Sequence, residues 1–85
     1  MNDIIKTFLD NGFKNTEEDP NVMIKELDRG GYAQLVIDCD VEDHYSIWLY
    51  TPLRKDGGCI RYDGFIYDGD FARKLLDNLK LNEWL

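Results

Sequence analysis

The chain of 85 residues has little of several things that mark particular classes of protein. It contains two cysteines, two prolines, one histidine and one serine, and no apolar run approaches the ~20 residues that cross a bilayer. Basic residues are also scarce, with 10 Lys and Arg against 17 Asp and Glu, a formal net charge of −7. Because phosphate backbones and anionic membranes attract an excess of Lys and Arg, we expect no direct nucleic-acid binding and no membrane binding.

Large apolar residues are plentiful, by contrast. Hydrophobic residues make up 44% of the chain and aromatic residues 13%, which predicts a folded protein and not a charged, disordered one. The length is that of one small domain, and no linker or repeat divides it, so we assign residues 1–85 to a single domain. Residues 1–6 lack the basic and apolar regions of a secretory signal, so we expect a cytoplasmic location.

Candidate catalytic and metal-binding residues are few. Cys39 and Cys59 form no C-x-x-C pair, and two buried free thiols are expected, with a disulfide between neighbouring strands as the alternative. His44, Asp40 and the cysteines match no zinc spacing, and the acidic segment Asp38–Asp43 lacks the glycine and glutamate of a calcium loop. No nucleophile elbow, P-loop or dinucleotide motif is present. We therefore predict no metal, no cofactor and no enzyme activity.

Apolar periodicity predicts a helix, four strands and a second helix. In chain order, the predicted elements are a helix over 3–11, strands over 22–28, 32–39, 44–51 and 59–67, and a helix over 69–80. The polar segment 14–21 is predicted to be a loop, Gly12 to end the first helix, Gly30-Gly31 to form a hairpin turn, and Gly64 to mark a bulge or bend. This order predicts an α+β fold, a four-stranded antiparallel sheet with both helices on one face.

The alternation of the two central predicted strands sorts their side chains to two faces. If the helices cover one set (Ala33, Leu35, Ile37, Tyr45, Ile47, Leu49), the other face carries Tyr32, Gln34, Val36, His44, Trp48 and Tyr50. Phe65 and Tyr67 join that face if the last strand bends suitably, whereas Phe71 belongs to the apolar stripe of the last helix. Aromatic residues are unusual on a solvated face. The sequence leaves open whether this face is a second core, a homodimer interface or a partner-binding surface.

Charge is concentrated in one predicted turn. Asp38, Asp40, Glu42 and Asp43 place four carboxylates within six residues. A solvated turn is the simplest interpretation, and a rigid mimic of nucleic-acid backbone charge is the alternative. Asp68 and Asp70 are predicted to cap the last helix. Arg54, Lys55 and Arg61 give a weak signal for single-stranded nucleic acid, or a charged hairpin that protects a sheet edge.

This short, acidic chain without catalytic residues resembles the small inhibitor proteins that phages and mobile elements carry against host nucleases and other nucleic-acid enzymes. The resemblance implies an inhibitor or regulator of a protein with a basic groove. Our hypothesis assigns the steering of the partner to Asp38, Asp40, Glu42 and Asp43, and its anchoring to Tyr32, Trp48 and Tyr50. The alternative is a binder of a small ligand or nucleotide, on the aromatic face or at a dimer seam.

Overall fold

The structure is a computed structural model that describes residues 3–28, 30–51 and 58–81. Its elements are helix α1 (Asp3–Asp10), strands β1 (Lys14–Asn15), β2 (Val22–Glu26), β3 (Tyr32–Ile37), β4 (His44–Tyr50) and β5 (Cys59–Phe65), and helix α2 (Gly69–Leu79). The strands form one antiparallel sheet in the order β1-β2-β3-β4-β5. The predicted α+β fold is confirmed.

The sheet has one strand more than the sequence predicts. β1 lies in the segment 14–21 that is predicted to be a loop, and its two residues pair with Met23 and Ile24 of β2. A two-residue polar strand is too short to show an alternating pattern, so only its pairing reveals it. Residues 52–57, which include Arg54 and Lys55 of the predicted charged hairpin, and the C-terminal residues 82–85 lie outside the described residues.

One buried core joins both helices to alternate residues of the strands. It contains Ile4 and Phe8 of α1 and Ala72 of α2, and the residues contributed by the central strands are Ala33, Leu35, Tyr45, Ile47 and Leu49. The alternation predicted for these strands is therefore confirmed. The placement of both helices on one face of the sheet stays a prediction, which this shared core supports.

Two predicted turn positions have the backbone that favours glycine. Gly12 follows α1 with φ +93°, and the next residue, Phe13, packs edge-to-face on Phe8 with ring centroids 5.1 Å apart. Gly31 has φ +76°, and a Cβ there would lie 2.2 Å from the carbonyl oxygen of Tyr50. Only glycine fits that approach, so Gly31 fixes how closely the β2–β3 turn packs against the end of β4.

The predicted bulge lies at a different residue from the one expected. Ile47 stands opposite Tyr62 and Trp48 opposite Ile60, which leaves Arg61 as the extra residue of β5. Gly64 is not bulged, because it pairs with Tyr45. A Cβ at Gly64 would lie 3.2 Å from the hydroxyl oxygen of Tyr62, so the glycine makes room for a neighbouring side chain.

The two cysteines are free, but the prediction that they are buried is wrong. Cys39 is exposed and Cys59 is partly exposed. β3 ends at Ile37, two residues before the predicted end, so Cys39 lies in the turn and not in the strand's inward row.

Candidate functional site

Two hairpin loops lie at one end of the sheet, as alternate loops of an antiparallel meander must. They are loop 16–21, between β1 and β2, and loop 38–43, between β3 and β4. The backbone amide of Ile37, the last residue of β3, donates to the carbonyl of Asn21 (2.8 Å), which places the end of loop 16–21 beside the start of loop 38–43. The amide of Ile66 donates to the carbonyl of Asp43 (2.9 Å) and brings the segment after β5 to the same place.

We call this end of the molecule the acidic end. Its carboxylates come from loop 16–21, loop 38–43, β5 and the start of α2, and they include Glu17, Glu18, Asp19, Asp38, Asp40, Glu42, Asp43, Asp63 and Asp68. The sequence pattern did not identify the members from loop 16–21 as part of the site. One feature of the sequence could have identified them. Glu17, Glu18 and Asp19 form a second acidic run, and alternate loops of an antiparallel meander lie at the same end of the sheet.

The turn of loop 38–43 is built by one of its own carboxylates. Asp38 Oδ1 accepts hydrogen bonds from the amides of Asp40 (2.8 Å) and Val41 (3.2 Å), and Asp43 closes the loop with φ +61°. Such a side chain bound to the following amides stabilises a turn. Asp38 therefore shapes the loop, whereas the carboxylates of Asp40, Glu42 and Asp43 are exposed.

His44 lies between two carboxylates at the start of β4. Its Nδ1 is 3.3 Å from Asp38 Oδ2, and its Nε2 is 3.3 Å from Asp63 Oδ1. A neutral imidazole has one N–H and donates to one of these carboxylates, whereas an imidazolium donates to both. The two carboxylates lie on opposite sides of the ring, so His44 joins β5 to loop 38–43, which we call the acidic loop. Within the described ranges, no three His, Cys, Asp or Glu residues are grouped so as to hold a metal ion.

Three exposed aromatic rings continue from His44 along the acidic end. Phe65, Tyr67 and Phe71, which we call the ring ladder, are 42%, 68% and 39% exposed. His44 packs edge-to-face on Phe65 (5.3 Å), Phe65 and Tyr67 are nearly parallel (6.0 Å), and Tyr67 meets Phe71 at 86° (6.1 Å). The apolar stripe predicted for the last helix placed Phe71 with core residues, but its ring is on the ladder.

Hydrogen bonds at both ends hold the ring ladder in place. The hydroxyl of Tyr62 donates to the carbonyl of Phe65 (2.5 Å). The pKa of this hydroxyl is raised, mainly by burial and to a smaller extent by the charge of the neighbouring Tyr67. Asp68 is the N-cap of α2, and its Oδ1 accepts from the amide of Phe71 (2.7 Å), as the sequence predicts. Asp70 instead pairs with Arg73 and Lys74, which lower its pKa.

The predicted tyrosine anchors lie at the other end of the sheet. Tyr32 and Tyr50 stack across β3 and β4, with centroids 4.7 Å apart, and the Tyr50 hydroxyl donates to Gln34 Oε1 (3.2 Å). A Cβ at Gly58 would lie 2.6 Å from the Tyr50 ring. We call this region, with Gly31 and Gly58 around the tyrosine pair, the tyrosine end.

The structure therefore brings together only part of the predicted site. Tyr32, Trp48 and Tyr50 share one face of the sheet, as predicted, and the Trp48 Nε1–H donates to Ser46 Oγ (3.1 Å). The acidic loop precedes β4 and Tyr50 ends it, and β4 is seven residues long, so about 20 Å separates them at ~3.3 Å per residue. The aromatic side chains beside the acidic loop are those of the ring ladder.

Fold and site define a small α+β protein with an acidic, aromatic surface at one end of its sheet. Comparison of the chain with protein-family models, curated proteins and solved structures found no match. Across the parts of the chain that the structure describes, no helix has the length and apolar character needed to cross a membrane.

Proposed function

We propose that this chain is a protein-binding module whose acidic end engages a basic groove, and that it inhibits or regulates a nucleic-acid-handling protein in this way. The observation that carries the proposal is the position of the ring ladder beside carboxylates gathered from separate segments of the chain. Carboxylates supply long-range attraction to a basic surface, and exposed aromatic rings supply the contact area of an interface.

The geometry of the acidic loop supports the mimicry of a nucleic-acid backbone. Asp38 fixes the turn through two amides, and His44 ties that turn to β5. The exposed carboxylates of Asp40, Glu42 and Asp43 are thus carried on a rigid support. A groove that binds phosphates is basic, so a rigid array of carboxylates can occupy it and compete with nucleic acid.

The test compares two variants that each remove three negative charges. The first, Asp40→Asn, Glu42→Gln and Asp43→Asn together, neutralises the acidic loop without touching the Asp38 bonds that shape it. The matched control, Asp10→Asn, Glu26→Gln and Asp77→Asn, neutralises exposed carboxylates away from the acidic end. Binding of an octalysine peptide is followed by isothermal titration calorimetry from low to high salt.

We expect affinity to fall with salt, and the acidic-loop variant to bind about tenfold more weakly at low salt, from three exposed ion pairs of ~0.5 kcal/mol each. The control variant keeps most of the affinity. Equal losses in the two variants would show that the peptide responds to net charge alone and would contradict the proposal.

A small-ligand site is the second candidate. A shallow depression of about 280 Å³ lies beside His44, lined by Val36, Ile37, Asp38, Cys39, His44 and Ser46. Its carboxylate repels phosphates, so a neutral or cationic ligand suits it better than a nucleotide. A rise in melting temperature with a nucleoside, lost in His44→Ala, would favour this candidate. A homodimer on the aromatic face stays a prediction that light scattering tests.

A further inference from the structure

We propose that the ring ladder of Phe65, Tyr67 and Phe71 is a receptor for arginine side chains of the partner. This inference rests on the proposed function and adds the chemistry of the contact. It distinguishes arginine from lysine, which a purely electrostatic acidic surface would bind alike.

The exposed rings provide faces on which a cation can lie. Tyr67 is 68% exposed, and its ring stands nearly parallel to Phe65 and at 86° to Phe71. The rings of the ladder therefore lie in two nearly perpendicular orientations, one shared by Phe65 and Tyr67 and the other that of Phe71. A cation within about 6 Å of such a face is attracted by the ring quadrupole, and a planar guanidinium also stacks on it.

Carboxylates lie beside these rings in sequence and in space. Asp63 is two residues from Phe65, its side chain is 59% exposed, and its Oδ1 faces His44, which itself packs on Phe65. The backbone carbonyl of Asp43 accepts a hydrogen bond from the amide of Ile66, which lies between the first two rings of the ladder, so the exposed Asp43 is a neighbour of these rings. A guanidinium can stack on a ring and donate N–H groups to a carboxylate at once, whereas an ammonium has no planar face to stack.

The negative charge of the acidic end favours a basic protein segment over a second copy of the chain, nucleic acid or an anionic lipid. A second copy of the chain would bring another net charge of −7 against the acidic end. Nucleic acid and anionic lipid would bring phosphates against the same carboxylates, which repel them. A basic protein segment is the occupant whose charge is complementary, and arginine is the basic residue that also uses the rings.

The test compares octaarginine with octalysine on the full chain, by calorimetry under identical salt. We expect octaarginine to bind at least about threefold more tightly, because a guanidinium adds planar stacking and a bidentate carboxylate contact that an ammonium lacks. Tyr67→Leu keeps an apolar side chain but removes the most exposed of the three rings, and we expect it to reduce this preference. Tyr67→Phe keeps the face and should keep the preference. Tyr32→Leu, at the tyrosine end, is the matched control and should also keep it.

The outcomes separate this inference from the proposed function. Equal affinity for the two peptides, or a preference that is undiminished in Tyr67→Leu, overturns the arginine receptor, while the dependence on the acidic loop still supports the proposed function. Loss of the preference in Tyr32→Leu would also overturn it, because the rings responsible would then be at the tyrosine end. Phe71→Leu repeats the test on a second ring, with thermal melts to verify folding.

Discussion

The two ends of the sheet both carry aromatic residues, but they use them differently. At the tyrosine end, Tyr50 stacks on Tyr32, donates to Gln34 and packs closely against the backbone at Gly58. At the acidic end, hydrogen bonds to the backbone of Phe65 and Phe71 hold the ring ladder, and Tyr67 is 68% exposed. The comparison shows that aromatic content does not by itself identify a binding surface. Rings contact one another at both ends, and what distinguishes the ends is that Tyr67 stays 68% exposed, whereas Tyr32 is 36% exposed and Tyr50 is partly buried.

The largest effect is expected at the tyrosine end, from Gly31→Ala. A Cβ there would lie 2.2 Å from the Tyr50 carbonyl oxygen, and φ is +76°. The backbones of Gly31 and Tyr50 would have to move apart to relieve this contact. We therefore expect the free energy of unfolding to fall by about 3 kcal/mol in urea titration. Gly12→Ala is the control, because it shares a positive φ but its Cβ would meet only Lys25, at 3.5 Å. It should cost about 1 kcal/mol. An equal loss of unfolding free energy in the two variants would contradict the close packing of Gly31 against Tyr50.

A pair of tyrosine variants tests the comparison directly. Tyr50→Leu removes a stacked ring and a hydrogen bond, and we expect it to lower the free energy of unfolding by about 2 kcal/mol. Tyr67→Leu removes a largely exposed ring and should change it by less than about 0.5 kcal/mol. Tyr50→Phe, which keeps the stacking, should fall between them. If Tyr67→Leu were more destabilising than Tyr50→Leu, the ring ladder and not the tyrosine pair would be the aromatic group that stabilises the fold, which would contradict the comparison.

Much of the fold could be predicted from the sequence, because it depends on local patterns. The alternation in β3 and β4 identified Leu35 and Ile47 as buried, and Gly12 and Gly31 were identified by the conformations that turns require. β1 could not be predicted in this way, since two polar residues have no period. The bulge at Arg61 depends on the register of β5 against β4, which a single strand's sequence does not contain.

The candidate site was harder to predict, because it depends on which loops meet. Asp38–Asp43 stood out as a local cluster, but the proximity of loop 16–21 follows only from the pairing of β2 with β3. Phe71 has the spacing of a core residue but is 39% exposed. It lies in the first turn of α2, directly after the Asp68 cap, where its ring contacts Tyr67. The predicted anchor residues Tyr32, Trp48 and Tyr50 stay a prediction for binding, and Tyr32 and Tyr50 lie at the end of β4 remote from the acidic loop.

A smaller effect is expected at Asp68, which lies at the acidic end but has a structural role. Its Oδ1 caps α2 through the Phe71 amide, so Asp68→Ala should lower the free energy of unfolding by about 1 kcal/mol. Asp68→Asn keeps a capping oxygen and removes the charge, and it should be nearly neutral. Chemical denaturation of both variants checks this. A loss in Asp68→Asn equal to that in Asp68→Ala would mean that charge, and not the cap, is what stabilises the helix start.

The smallest effect concerns Asp70, an acidic residue near the ring ladder that is already paired within α2. Arg73 and then Lys74, at 2.8 and 3.1 Å, hold the pKa of Asp70 below its ordinary value of 3.8. The folded state therefore favours the carboxylate. The stabilisation is fully present above the unfolded pKa and is lost as pH falls through the lowered folded pKa. A carboxyl-carbon NMR titration should show the lowered midpoint, and Arg73→Gln should raise it towards 3.8.

The same pairing limits what Asp70 contributes to binding. Because its carboxylate is shared with two cations of its own helix, Asp70→Asn should weaken octalysine binding less than Asp43→Asn, which removes an exposed carboxylate of the acidic loop. Calorimetry on the two single variants, which change the net charge equally, decides the matter. If Asp70→Asn weakened binding as much, the distinction between engaged and exposed groups, drawn from the aromatic rings, would not extend to the charges.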